Sequence, residues 1–142
     1  MIEVIKEIKG FEGRYTISNY GIVRSLLTSK IMKPSITKFG YARVNLRYAN
    51  SRKFKSMFVH RLVAMNFLDN PNNYAEVNHI DCNRLNNHIT NLEWCSREQN
   101  IKHSYDVGVK TSKGVHNGNH KLSLIEVNMI RDLLKENKLS HV

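Results

Sequence analysis

Residues 76–104 read EVNHIDCNRLNNHITNLEWCSREQNIKHS, and the reading of this stretch decides the fold. Glu76–Ile80 predicts a short strand, and Leu92–Cys95 predicts another after an Asn-rich connection. Ser96, with Gln99 three residues on, forms a capping box that opens a helix over residues 96–105, and Gly108 closes it. Strand, loop, strand and helix in that order bring His79 and Asn100 towards one small cleft. Asn91 follows His79 by twelve residues, and His103 lies one helical turn beyond Asn100 on the same face. A neutral imidazole beside water takes a proton, and an oxygen-liganded divalent cation polarises a phosphate and stabilises a leaving oxygen. The arrangement therefore suits metal-assisted phosphodiester hydrolysis. Taken singly the residues stay ambiguous. Ten asparagines lie from Asn66 to Asn100, where Asn also serves as a cap or turn residue, and a lone His79 reads equally as a surface or core histidine. Trp94 is expected in the core, between strand and helix.

Upstream, His60–Leu68 has Val63, Ala64 and Phe67 at helical spacing, and Asp69-Asn70-Pro71 ends that helix. Before it the periodicity changes to two. In Tyr41–Tyr48, Ala42, Val44, Leu46 and Tyr48 share one face and Tyr41, Arg43, Asn45 and Arg47 the other, which predicts a half-buried strand. Phe54–Val59 is its expected partner. Tyr15 and Ile17 mark an earlier strand, Asn19-Tyr20-Gly21 a turn, and Ile22–Leu26 the return.

Charge is distributed as unevenly as hydrophobicity. The 142 residues carry 22 Lys plus Arg against 12 Asp plus Glu, a formal net charge of +10, yet no acid occurs between Gly13 and Leu68. That stretch holds eleven basic residues, among them Arg24, Lys33, Arg43, Arg47 and Arg61. A block of one sign repels itself unless it meets a polyanion, and nucleic acid fits. A strand face of arginine and aromatic side chains suits phosphates and base edges. Arg61 reads equally as a phosphate contact or as a packing residue. With 41% apolar residues the chain can bury a core. No apolar run approaches the roughly 20 residues of a membrane span, and MIEVIKEIKGFEG is charged where a signal peptide needs its apolar stretch. Two cysteines exclude a disulfide framework, and no close Cys pair points to structural zinc.

Beyond Gly108, residues 109–120 (VKTSKGVHNGNH) read as a linker. Ser123 with Glu126 opens a further helix, whose stripe is Leu124, Val127, Ile130, Leu133 and Leu134.

The segment at 76–104 resembles the ββα-metal core of HNH nucleases, specifically the phage and intron-encoded homing endonucleases. IKEIKGFEGRYTISNYGIVRSL resembles the small DNA-binding module that precedes that core, and VHRLVAMNFLDNP resembles the joining segment. NHKLSLIEVNMIRDLLKENKLS resembles the start of a helix-turn-helix that follows it. The resemblance implies a modular α+β protein: a basic antiparallel β-sheet module at 1–59, an HNH core at 60–108, a linker at 109–120, and at 121–142 the first helix of a helix-turn-helix truncated after Ser140. It implies a DNA endonuclease with one Mg²⁺ or Mn²⁺ per site, acting on duplex DNA as a monomer or a dimer. The implied setting is a phage-encoded protein in a bacterial cytoplasm. By the same resemblance His79 is the general base, Asn91 braces the loop, and Asn78 and Asn100 are metal ligands. His103 is an alternative ligand, a phosphate contact or a cation at the helix C-terminus. Two positions depart from the family pattern: Asn78 where many relatives have Asp, and Cys82 where they usually have Gly. The first leaves open a DNA-binding protein whose metal site has decayed. An RNA-binding module is a third reading.

Overall fold

In the computed structural model, which describes residues 2–49 and 51–108, the chain opens with an antiparallel sheet of β1 (Ile5–Glu7), β2 (Tyr15–Ser18) and β3 (Val23–Ser25) in that order. The alternation at Tyr15 and Ile17 points both into the core. The residues of β1 are exposed, and its alternation carries no apolar signal that would predict it. A second antiparallel sheet runs β4 (Ser35–Ile36), β5 (Ala42–Arg47), β6 (Phe54–Phe58). Along β5 the expected faces hold: Ala42, Val44 and Leu46 are buried, and Arg43, Asn45 and Arg47 are exposed. Tyr48 departs from the expected core position. It lies past the end of β5 and is exposed, with its ring stacked on Phe11 at 4.8 Å.

The helix α1 (Val59–Phe67) follows β6 directly. β7 (Glu76–His79) and β8 (Leu92–Cys95) then form an antiparallel ribbon, with a 3₁₀ turn at Ile89–Asn91 leading into β8. The last described element is α2 (Arg97–Asp106). Its capping box is formed as expected, Ser96 N donating to Gln99 Oε1 and Gln99 N to Ser96 Oγ. Gly108 follows in the left-handed region at φ 73°. The expected linker and C-terminal helix lie outside the described residues. Compactness divides the chain into Met1–Lys102 and His103–Val142, and the three sheets and α1 all belong to the first unit.

The core of that unit is one cluster. Ile8, Phe11, Tyr15, Ile17 and Val23 from the first sheet meet Ala42, Val44 and Leu46 from the second, Val59, Leu62, Val63 and Ala64 from α1, and Val77 and Leu92 from the ribbon. α1 is at its centre, which its sequence permits because apolar residues cover more than one stripe of the helix. Polar bonds fasten the same joints. Asn66 on α1 accepts from Lys9 N, and its amide donates to Leu62 O. Tyr15 Oη accepts from Arg47 N, bonding the first sheet to the second. No helix among the described residues is long and apolar enough to cross a membrane.

Leu62 is fully buried where the sheets converge on α1. Leu62→Ala is expected to cost about 3 kcal/mol, as large-to-small changes in a closed core do, read as a lower midpoint in chemical denaturation. A loss under about 0.5 kcal/mol would contradict a shared core, since that is the range of surface substitutions.

Candidate active site

The ribbon is built on the register Glu76↔Cys95, Val77↔Trp94, Asn78↔Glu93 and His79↔Leu92. Successive side chains leave opposite faces. Glu76, Asn78, Glu93 and Cys95 therefore share one face, and Val77, His79, Leu92 and Trp94 the other. Asn100, on α2, belongs to the first of these faces, since its amide nitrogen donates to Glu76 Oε2 at 2.6 Å. His79 stands on the second, towards α1.

His79 is only 5% exposed. Its Nε2 lies 3.3 Å from Asn87 Oδ1, while Asn87 Nδ2 donates to Leu85 O. That second bond fixes the Asn87 amide, and an amide oxygen only accepts, so His79 carries its proton on Nε2 and Nδ1 is the basic nitrogen. Burial holds the His79 pKa below its ordinary value, with Arg84 acting in the same direction; the bond to Asn87 and the charge of Asp81 offset part of this.

The loop between the strands is held by side-chain amides. Asn91 Oδ1 accepts from Asp81 N at 2.9 Å, and Asn91 Nδ2 donates to Asp81 Oδ1 and Asn86 O, both at 2.8 Å. Asp81 Oδ2 accepts from Asn86 Nδ2, and that bond leads the causes that hold the Asp81 carboxyl below its usual range. Cys82, one residue on, has φ 59°. This is the left-handed conformation that glycine adopts without strain.

Three features of the site had no signal in the sequence reading beyond their residue types. His60, expected only to start a helix, is buried with its ring 5.0 Å from that of His79, and Tyr41 packs at 5.1 Å from His60 and 6.0 Å from His79. Tyr41 is therefore half-buried, packed against the histidines and, at 5.7 Å, against Phe58, the cross-strand partner of Arg43. The Arg84 guanidinium lies over the Tyr41 ring, and Arg84 Nη1 donates to Phe39 O. The third feature is a close approach between sheet and loop. Gly21 has φ 80°, and a Cβ there would lie 2.9 Å from Asn87 Cβ.

On the other face Asn78 Nδ2 donates to Glu93 Oε1 at 2.9 Å. Asn78, Glu93, Glu76 and Asn100 each have an oxygen to offer a cation, a chemistry that would suit a hard one such as Mg²⁺ or Mn²⁺. Among the described residues no group of three or more His, Cys, Asp or Glu could hold a metal ion. A cation held through Asn78 and Asn100 would take its remaining ligands from water or substrate.

The basic residues are spread more widely. The exposed face of the second sheet pairs Arg43 with Phe58, Asn45 with Ser56 and Arg47 with Phe54, whose ring lies 5.3 Å from the Arg47 guanidinium. Arg24 is exposed on β3 and donates to Ser29 O, and Lys33 is exposed ahead of β4. Arg61 is bound internally, donating to Ala75 O with its guanidinium over Trp94. Trp94 packs against the core as expected. His103 stands in the last turn of α2.

Two family models match the chain, the NUMOD4 motif over residues 3–47 and HNH endonuclease over residues 57–102. YosQ, an SPbeta prophage-derived homing-endonuclease-type HNH protein of Bacillus subtilis (strain 168), is 35% identical over 132 residues, which are 91% of this chain and 74% of that one. The chain belongs to the HNH endonuclease family. A second HNH relative, DNA endonuclease I-HmuI of Bacillus phage SP01, is 40% identical over 103 residues, 72% of this chain and 58% of its own. An HNH endonuclease of Acanthamoeba polyphaga mimivirus, L245, is 48% identical over 89 residues, 63% of this chain and 26% of its own. The chain thus spans about a quarter to just over half of the length of these two relatives. A solved structure, titled for DNA binding and cleavage by I-HmuI, matches this HNH chain with a TM-score of 0.69 at 32% identity, covering 93% of this chain and 68% of that one. The match and the observed sheets and helices give the α+β class.

Two substitutions probe the surroundings of His79. Gly21→Ala is expected to cost about 1–2 kcal/mol from the left-handed backbone alone, and the clash with Asn87 adds to it; a thermal midpoint equal to the parent's would refute the close approach. His60, pushed down to about 3 chiefly by burial, stays neutral in the fold while the unfolded chain takes up a proton below about 6.5. Stability is expected to fall by about 1.4 kcal/mol per pH unit between those values. It is fully present above pH 6.5 and lost as pH falls. His60→Phe should flatten this slope in denaturation series from pH 7 to 4.5; an unchanged slope would remove His60 as its source.

Proposed function

We propose that this protein is an endonuclease that hydrolyses phosphodiester bonds in duplex DNA with His79 as general base and one divalent cation, Mg²⁺ or Mn²⁺. The observation that carries the reading is the buried His79, tied through Nε2 to Asn87 and adjacent in β7 to Asn78, within an HNH-family motif. A depressed pKa keeps the imidazole neutral at pH 7. Nδ1 takes a proton from the attacking water, and the bond to Asn87 helps to stabilise the imidazolium that results. Asn91 holds the loop that presents Asn87, through its three bonds to residues 81 and 86. Asn78 and Asn100 hold the cation, which when bound neutralises charge on the phosphate and the leaving oxygen.

The exposed face of the second sheet supplies backbone affinity through Arg43 and Arg47, with Arg24 and Lys33 extending the positive surface. The bonds of Arg61 to Ala75 and its position over Trp94 support a packing role for it. His103 is proposed as a phosphate contact or a cation at the end of α2. In this reading residues 1–59 are the DNA-binding module and 60–108 the nuclease core. The phage and prophage relatives support a virus-borne protein acting in the host cytoplasm.

Supercoiled plasmid incubated with Mg²⁺ or Mn²⁺ is expected to convert to nicked or linear form. His79→Ala should slow this by about 10²–10⁴-fold, the range for loss of a general base. Because the neutral form of His79 is the active one, the rate should hold steady from pH 8 down past 6.5 and fall only at lower pH. Equal rates for the two proteins, or no cutting by either with the source genome's own DNA present, would overturn the proposal.

A further inference from the structure

Both amides of the cation face are bonded to carboxylates. Mg²⁺ and Mn²⁺ are held in proteins mainly by carboxylates, and two asparagines bring no charge. Yet Asn78 donates to Glu93 and Asn100 donates to Glu76, so each neutral group is backed by a negative one. The Asn78–Glu93 contact is imposed by the backbone, since the two residues face each other across the ladder. The two carboxylates flank one residue, Cys95, with Glu76 opposite it across the ladder and Glu93 two positions before it on the same face. Two carboxylates on this face match the charge of one divalent cation.

We propose that Glu93 is a positioning residue of the cation site, orienting the Asn78 amide and lending it the negative charge that an aspartate would have carried itself. The proposal rests on the reading of Asn78 and Asn100 as ligands. A carboxylate that accepts the amide N–H fixes which way the oxygen points and raises electron density on it, as carboxylates behind metal-bound histidines do. Asn78 with Glu93 thus takes the part of one charged ligand, divided between two strands. Glu93 is exposed at the ribbon surface, so its charge needs no burial to act.

Mn²⁺ uptake by the full chain, followed through the electron paramagnetic resonance signal of the free ion, tests this without nuclease activity. Glu93→Gln keeps an oxygen that accepts from Asn78 and removes only the charge. It is expected to weaken Mn²⁺ binding by about tenfold or more, the range for loss of a group behind a ligand. Asn78→Asp in the Glu93→Gln background should restore the affinity. Asn78→Asp alone places two carboxylates opposite each other, and should lower the thermal midpoint without Mn²⁺ and raise it with Mn²⁺ present. If Glu93→Gln binds Mn²⁺ within twofold of the parent while Asn78→Ala loses it, Glu93 serves the ladder only and the proposal falls, with the ligand reading intact. If Asn78→Ala also binds like the parent, or the parent takes up no Mn²⁺ at millimolar concentration, the ligand reading falls first. Circular dichroism of each variant identifies any that has lost its fold, and the Glu93→Gln comparison then decides.

Discussion

The burial of α1 is the constraint on which the remaining structure depends. Sheets of two or three short strands are marginal by themselves, and each of the three here has one side to cover. Val59, Leu62, Val63 and Ala64 give them a common partner, so that Ile17, Leu46, Val77 and Leu92 end in one cluster. This also sets the site. His60 follows Val59 in α1, and a helix fixed by Leu62 and Val63 has little freedom to rotate. The His60 ring is therefore held against His79 at 5.0 Å. His79 is placed by the core itself, with the loop supplying its hydrogen bond.

The loop solves a different problem, the ordering of residues 80–91 with little apolar content. Its answer is the carboxamide, which donates and accepts within one rigid group. Asn91 makes three bonds to the loop, Asn86 and Asn83 order Asp81 and Leu85, and Asn87 ends the chain of contacts at His79. The many asparagines of this region are mostly loop structure. Gly21 binds the network to the first sheet, because only glycine leaves room for Asn87 at that distance.

Most of the frame was legible from periodicity. Tyr15 and Ile17, the alternation along Ala42–Arg47, the α1 stripe and the Ser96–Gln99 box all produced the expected elements, because each was a local pattern under one dominant force. β1 escaped because its residues are exposed on both sides, and it is defined by pairing with β2 alone. Tyr41 was expected to be exposed, but it precedes β5 and its ring is half covered by His60 and His79, which come from α1 and β7. His79, Asn91 and Asn100 were singled out by spacing and Asn78 by the family resemblance, but their partners were not. Asn87, His60 and Glu93 are fixed by a loop path, a helix position and a strand register, each of which depends on contacts distant in sequence.

The ribbon also separates two electrostatic requirements that conflict. The proposed cation face needs negative charge, and Glu76 and Glu93 would provide it. A general base in a buried pocket must stay neutral, and a carboxylate at its side raises its pKa. Adjacent residues of β7 leave opposite faces, so Asn78 meets Glu93 while His79 meets Tyr41 and His60. Among the described residues Asp81 is the carboxylate whose charge raises the His79 pKa, whereas Glu93 and Glu76 act on Cys95. Asp81 is itself engaged by Asn86 and Asn91, which divides its attention from the imidazole. Had His79 faced the same way as Asn78, two further carboxylates would have favoured its protonated form. The alternation of a single strand keeps the negative face and the buried imidazole one residue apart.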